Sequence, residues 1–250
     1  MTGMLKRSGR QFLGPLREKL RSPGGAIGKE VDAVLNRTKP RIGRGEIIAG
    51  PAFSGKQFAV LLEGLACMAT RNDNGARQIY AFYYPGDFLA LHDFLRPESR
   101  EHIEIEALSN CSIGTINRDI LERAIQRRPM LGQALWQAAM IEARIFRQRL
   151  VMARWPALQR VAHLLCEQRA RLGAHERVIP LTQIDVADAT GLSVVHINRL
   201  FQELRQLGVL SKQRTIKVVN KERLQELAAF DPGYLDPGEA LSYWDLYIDD

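Results

Sequence analysis

The sequence predicts an α+β protein: an N-terminal β-roll of jelly-roll type, a long helix, and a C-terminal winged helix-turn-helix. Three observations predict it. Apolar residues recur with period two from Ile42 to Ile116. Beyond Asn117 they recur at steps of three and four. Residues 183–202, QIDVADATGLSVVHINRLFQ, carry the small residue, the glycine and the caps that two crossing helices need.

Composition sets the outer limits. A chain of 250 residues, 46% hydrophobic and 25% charged, is ordinary for a globular protein that buries a real core. No run reaches the roughly 18 apolar residues of a membrane span, and the most apolar stretch, FAVLLEGLACMA, carries Glu63. The Arg-rich start is not followed by an apolar run, so no secretory signal is expected. Cys67, Cys111 and Cys166 are scattered and odd in number, which fits a reducing cytoplasm. Charge is segregated. Residues 1–44 carry a net +8, 45–153 are neutral, 154–230 carry +5 and 231–250 carry −6. Two basic segments around a neutral middle point to a polyanion partner.

The elements follow in order. Residues 1–40 read as a basic arm with one short helix near Glu30–Arg37. Residues 41–128 form the β-roll. FAVLLEG is strand-like; LACMATR and ARQIYAFYY flank the hairpin signal Asn72-Asp73-Asn74-Gly75. Pro85-Gly86-Asp87 is a turn. One or two further strands follow Ile103, and NRDILERAIQRRP is a helix ending before Pro129. Residues 129–153 form a dimerisation helix. Its expected seam is Leu131, Ala134, Ala138, Ile141, Ile145, Gln148 and Met152, with Arg144, Arg147 and Arg149 on a wet opposite face. Trp155-Pro156 breaks it. Residues 154–230 form the winged domain, and 231–250 an acidic, aromatic tail.

Within the winged domain each residue type has a mechanical reason. Ala187 lets the two helices cross closely, and Gly191 supplies a left-handed turn. Val186, Leu192, Ile197 and Leu200 form their shared core. Thr182 with Asp185 makes a capping box, and Ser193 caps the second helix. That helix then presents Val194, Val195, His196, Asn198 and Arg199. Arg suits guanine, Asn adenine, and Val a thymine methyl. Gly208 ends the helix, and VLSKQRTIKVVN reads as a wing with Lys212 and Arg214 at its tip. Ser193, His196, Asn198 and Arg199 are the expected base or adjacent phosphate contacts, Val194 and Val195 the apolar readers, and Thr182, Lys212 and Arg214 the phosphate contacts.

LLEG and PGD in a β-rich domain, a long helix, and LTQIDVADATGLSVVHINRLFQELRQLGVL together resemble the Crp/Fnr family of bacterial transcription regulators, over roughly residues 40–222. The resemblance implies a cyclic-nucleotide-binding-like roll, a homodimer, binding of double-stranded DNA with two-fold symmetry, and RNA polymerase as a further partner. It implies no enzyme. It also marks departures. Members with an Arg–Glu pair early in the recognition helix have Val194-Val195 as counterparts here, so a different half-site is expected. Ala90 and Leu91 stand where cyclic-nucleotide binders have Gly-Glu, and Glu101 and His102 where they have Arg-Ser. Leu91 cannot accept from a ribose, and Glu101 repels a phosphate. These four positions therefore define either a pocket for an uncharged or cationic ligand or a structural link, with the effector unknown and no tight cyclic AMP binding expected.

Rival readings weigh less. The widely spaced cysteines do not suit an iron–sulfur cluster, and His92, His102 and His163 are more simply structural than haem or metal ligands, so no cofactor is expected. GPAFSGKQ nearly matches a phosphate-binding P-loop. However, Gln57 replaces the magnesium-binding hydroxyl, and a strand pattern follows where a helix is needed. A sensor or adaptor dimer that has lost DNA binding is the other alternative.

Overall fold

The computed structural model describes residues 41–49, 57–89, 91, 104–127, 129–172 and 177–235. The basic arm, GPAFSGK, Ala90, His92, Glu101, His102 and the acidic tail beyond 235 lie outside the described residues. So does the side chain of Ala134.

Among the described residues seven strands belong to the roll: β1 Ile47–Ala49, β2 Gln57–Glu63, β3 Ala66–Arg71, β4 Arg77–Tyr83, β5 Phe88–Leu89, β6 Glu104–Ala107 and β7 Ser112–Asn117. They form two sheets, ordered β1-β6-β3-β4 and β5-β2-β7. β2 and β7 pair antiparallel with Phe58 opposite Ile116 and Val60 opposite Gly114. The β3–β4 hairpin closes as its sequence demands. Asn72 Oδ1 accepts from the Asn74 and Ala76 amides, and Gly75 takes φ +75°. In the 85–87 turn the Asp87 carboxylate accepts from the Tyr84 amide at 2.7 Å. Gly64 is dictated by space as well as φ. A Cβ there would lie 2.4 Å from the Asn110 carbonyl oxygen. Because Gln57 opens a strand, the P-loop reading fails at the element that should follow it.

Helices follow: α1 Arg118–Arg127, α2 Pro129–Met152, α3 Ala157–Leu172, α4 Gln183–Thr190, α5 Val194–Gln206 and α6 Lys221–Ala228. Pro129 sits at the first position of α2, where its missing N–H costs nothing. Two short strands, β8 Val178–Ile179 and β9 Ile216–Lys217, pair antiparallel. β8 is too short to show a period, and the sequence reading missed it.

The described residues group into two compact units, 41–67 with 83–140, and 68–82 with 141–235. These units cut across the sequence boundaries, because the β3–β4 hairpin groups with the C-terminal residues. In the first unit Phe58, Val60, Phe88, Leu91, Ile116, Leu121, Leu131 and Leu135 share one core. Leu91 thus packs into the core of this unit.

The free face of α2 is offset from the expected seam. Leu131, Ile145 and Met152 are buried within the chain, Ala138 and Ile141 are half-buried, and Gln148 meets His163. The exposed stripe is instead Trp136, Met140, Ala143, Arg147 and Leu150, spaced four, three, four and three. Nor is Arg149 on a wet face. It pairs with the fully buried Glu167 at 2.6 Å.

Candidate nucleic-acid interface

The site is built from two caps, one turn and one wing. At the start of α4 Thr182 Oγ1 accepts from the Asp185 amide, and the Asp185 carboxylate accepts from the Thr182 amide at 2.8 Å. This capping box satisfies donors that the first helical turn otherwise leaves unpaired. The Asp185 carboxylate is fully buried. Arg77 of the β3–β4 hairpin compensates its charge at 2.9 Å and reaches Asp188 at 2.7 Å. Gln78 donates to the Asp188 carbonyl oxygen. Sequence reading missed these partners, because more than a hundred residues separate them.

Gly191 ends α4 at φ +66°, and its N–H donates to the Ala187 carbonyl. Ala187 is buried between the helices, together with Val186, Ile197 and Leu200; Leu192 is half-buried. Ser193 then caps α5, its Oγ accepting from the His196 amide at 3.2 Å. The Val194 and Val195 amides lie in the first turn, where no intrahelical acceptor exists, so the helix start can receive a phosphate oxygen.

Burial sorts α5 cleanly. Ile197, Leu200, Phe201 and Leu204 face inward. Val194, Val195, His196, Asn198 and Arg199 are all exposed, Val195 by 63%. An aliphatic side chain this exposed, beside amide, imidazole and guanidinium groups, forms a mixed apolar and donor-rich surface. Such a surface suits base edges in a major groove.

The wing is present as a loop on a short ladder. Ser211 N–H donates to the Lys217 carbonyl, and Val219 N–H to that of Val209. Lys212 and Arg214 stand exposed in the loop. Arg205, which the sequence did not single out, holds the wing. Its Nε donates to the Ser211 carbonyl and its Nη2 to that of Gln213. Thr182 is exposed, although its hydroxyl already donates to Asp185 at 2.7 Å.

Metal chemistry finds no donor set here. Cys67, Cys111 and Cys166 are buried and free, and no group of three or more potential ligands gathers among the described residues. Burial pushes the Cys166 thiol up to about 12, far from a reactive thiolate. Among the described residues no helix is long and apolar enough to cross a membrane.

Comparison with known proteins agrees with this geometry. The family model for a cyclic nucleotide-binding domain matches residues 40–128, and that for a Crp-like helix-turn-helix domain matches residues 159–227. The nitrogen fixation regulation protein FixK of Bradyrhizobium diazoefficiens is 27% identical over 217 residues, covering 82% of this chain and 90% of its own length. The transcriptional activatory protein AadR of Rhodopseudomonas palustris is 28% identical over 176 residues, 68% of this chain and 72% of its own. The solved structure of FixK2 from Bradyrhizobium japonicum superposes with a TM-score of 0.67 at 25% identity, over 77% of this chain and 97% of that one. A CooA mutant from Carboxydothermus hydrogenoformans shares the fold, with a TM-score of 0.64 at 15% identity, over 85% of this chain and 95% of that one.

Proposed function

This chain belongs to the Crp/Fnr family of transcription regulators, and on that premise we propose that it acts in the cytoplasm as a homodimer reading an inverted-repeat operator. One observation carries the proposal: the Ser193-capped start of α5 exposes Val194, Val195, His196, Asn198 and Arg199 together. Asn198 and Arg199 read base edges, and the two valines pack on thymine methyls. Lys212 and Arg214 contact phosphate and set register. Ser193 and the first-turn amides receive a phosphate, and His196 serves a base or the adjacent backbone.

Dimerisation supplies the symmetry. The exposed stripe Trp136, Met140, Ala143, Arg147 and Leu150 has the spacing of a coiled-coil seam. Two copies joined along it would set two recognition helices about one duplex turn apart, and the operator would mirror that two-fold. RNA polymerase is the natural further partner of such a regulator. No cyclic-nucleotide site is proposed, since Leu91 is committed to the core and Glu101 carries the wrong charge for a phosphate.

Selection of bound duplexes from a random pool tests the reading. Recovery of a two-fold symmetric motif supports it. Recovery of no motif, with binding that ignores sequence, overturns it.

A further inference from the structure

We propose that Arg205 is a positioning residue for the phosphate contacts of the wing: its single guanidinium sets where both tip cations, Lys212 and Arg214, leave the backbone. The inference rests on the DNA-reading role proposed above. It adds a residue that works through the wing and touches no DNA itself.

The wing tip has little of its own to fix it. Gly208 takes φ +70° after α5, and the Val209 amide donates to the Leu204 carbonyl at 2.9 Å, which docks the base of the wing on the helix. The ladder continues through the Leu210–Val218 bridge and the Ser211 amide, which donates to the Lys217 carbonyl at 2.9 Å. Beyond that bond Lys212, Gln213, Arg214 and Thr215 are all exposed, and Ile216 is buried again. Consecutive solvated residues keep much of their backbone freedom unless something outside the ladder restrains them.

Arg205 supplies that restraint from the last turn of α5. Its Nε donates to the Ser211 carbonyl at 3.2 Å and its Nη2 to the Gln213 carbonyl at 3.3 Å. A carbonyl shares one rigid plane with the N–H of the residue that follows. Holding the Ser211 carbonyl therefore sets the peptide from which Lys212 starts, and holding that of Gln213 sets the peptide from which Arg214 starts. The two bonded carbonyls are spaced as the two cations are. The guanidinium is steadied in turn by Phe201, one helical turn earlier. Its central carbon lies 6.0 Å from the centre of that ring, which is 1% exposed. The core of the helix-turn-helix thus reaches the wing tip through one side chain. Lysine could not replace it, because an ammonium lacks the rigid fork that spans two acceptors.

The test measures binding of the full chain to a duplex recovered from the random pool over a range of salt concentrations. Lys212→Ala with Arg214→Ala should lower the steepness of log K against log salt by about 1.8, the value for two phosphate contacts. Arg205→Lys keeps the charge and loses the fork, and should lower it by about 0.9, one contact. Adding Arg205→Lys to the wing pair should lower it no further. In the free protein, the Ser211 amide of Arg205→Lys should exchange with solvent at least about tenfold faster than in the parent. The Ile197 amide, bonded to the Ser193 carbonyl within α5, should keep the parent rate. The parent steepness in Arg205→Lys, or unchanged Ser211 exchange, would overturn the inference. A further fall on top of the wing pair would also overturn it and make Arg205 a DNA contact. Faster exchange at Ile197 would overturn it too, and make Arg205 a residue of helix stability. A wing pair with the parent steepness would strike the phosphate role of Lys212 and Arg214 beneath the inference. The Ser211 exchange needs no DNA, so it separates that failure from a failure of Arg205 to hold the wing.

Discussion

His163 shows how one residue links packing to pH. Burial is the main cause of its lowered pKa; Glu167 opposes the shift and Arg149 adds to it. The unfolded chain binds a proton near the ordinary value of about 6.5 while the folded chain resists until about 4, so stability falls as pH drops through that window. From this group alone the protein should lose about 2 kcal/mol between pH 7.5 and pH 5. Urea unfolding at the two pH values checks this, with His163→Phe expected to flatten the difference. Local residues of the recognition unit were legible in the sequence for a simple reason. Thr182 with Asp185, Gly191 and Ser193 each act on backbone within four residues, so spacing alone specifies them. Arg77, Arg205 and Tyr234 were not legible, because each acts across a fold that spacing does not encode.

At the level of elements most strands and helices were readable, but the two-residue β8 and the orientation of α2 were not. A helix of 24 residues with apolar groups on more than one face can turn several stripes inward. Packing against Phe58, Phe88 and Leu121 selected Leu131 and Leu135, and Ile145 and Met152 are buried along with them. That commitment leaves the neighbouring stripe exposed. Leu150 is 75% exposed, so Leu150→Glu should spare the monomer fold. It would also place two like charges across a two-fold seam and weaken the dimer at least about tenfold by sedimentation. An unchanged dimer constant would exclude this stripe. The β2–β3 connection gives a second expectation. Gly64→Ala adds a clash with the Asn110 carbonyl to the strain of φ +95°, and should cost about 3 kcal/mol in urea unfolding. Gly45→Ala, at φ +85° with open space around it, should cost about 1 kcal/mol.

For the whole molecule, the α+β architecture followed from a change of period near Asn117, and the structure and the family comparisons agree with it. Of the expected effector frame, residues 85–107, Leu91 packs into the core. Lys212, Arg214 and Arg199 are all exposed. Sequence-specific reading of DNA by α5 is the central claim, and one competition measurement tests it most directly. Full-length protein is bound to a duplex recovered from the random pool and displaced by unrelated DNA at fixed salt. The account predicts that the specific duplex is preferred by about 10³ or more. Asn198→Ala with Arg199→Ala should erase most of that preference while leaving the salt-dependent, sequence-independent binding in place. A parent protein that binds both duplexes equally, or a double variant that keeps its full preference, would contradict the account.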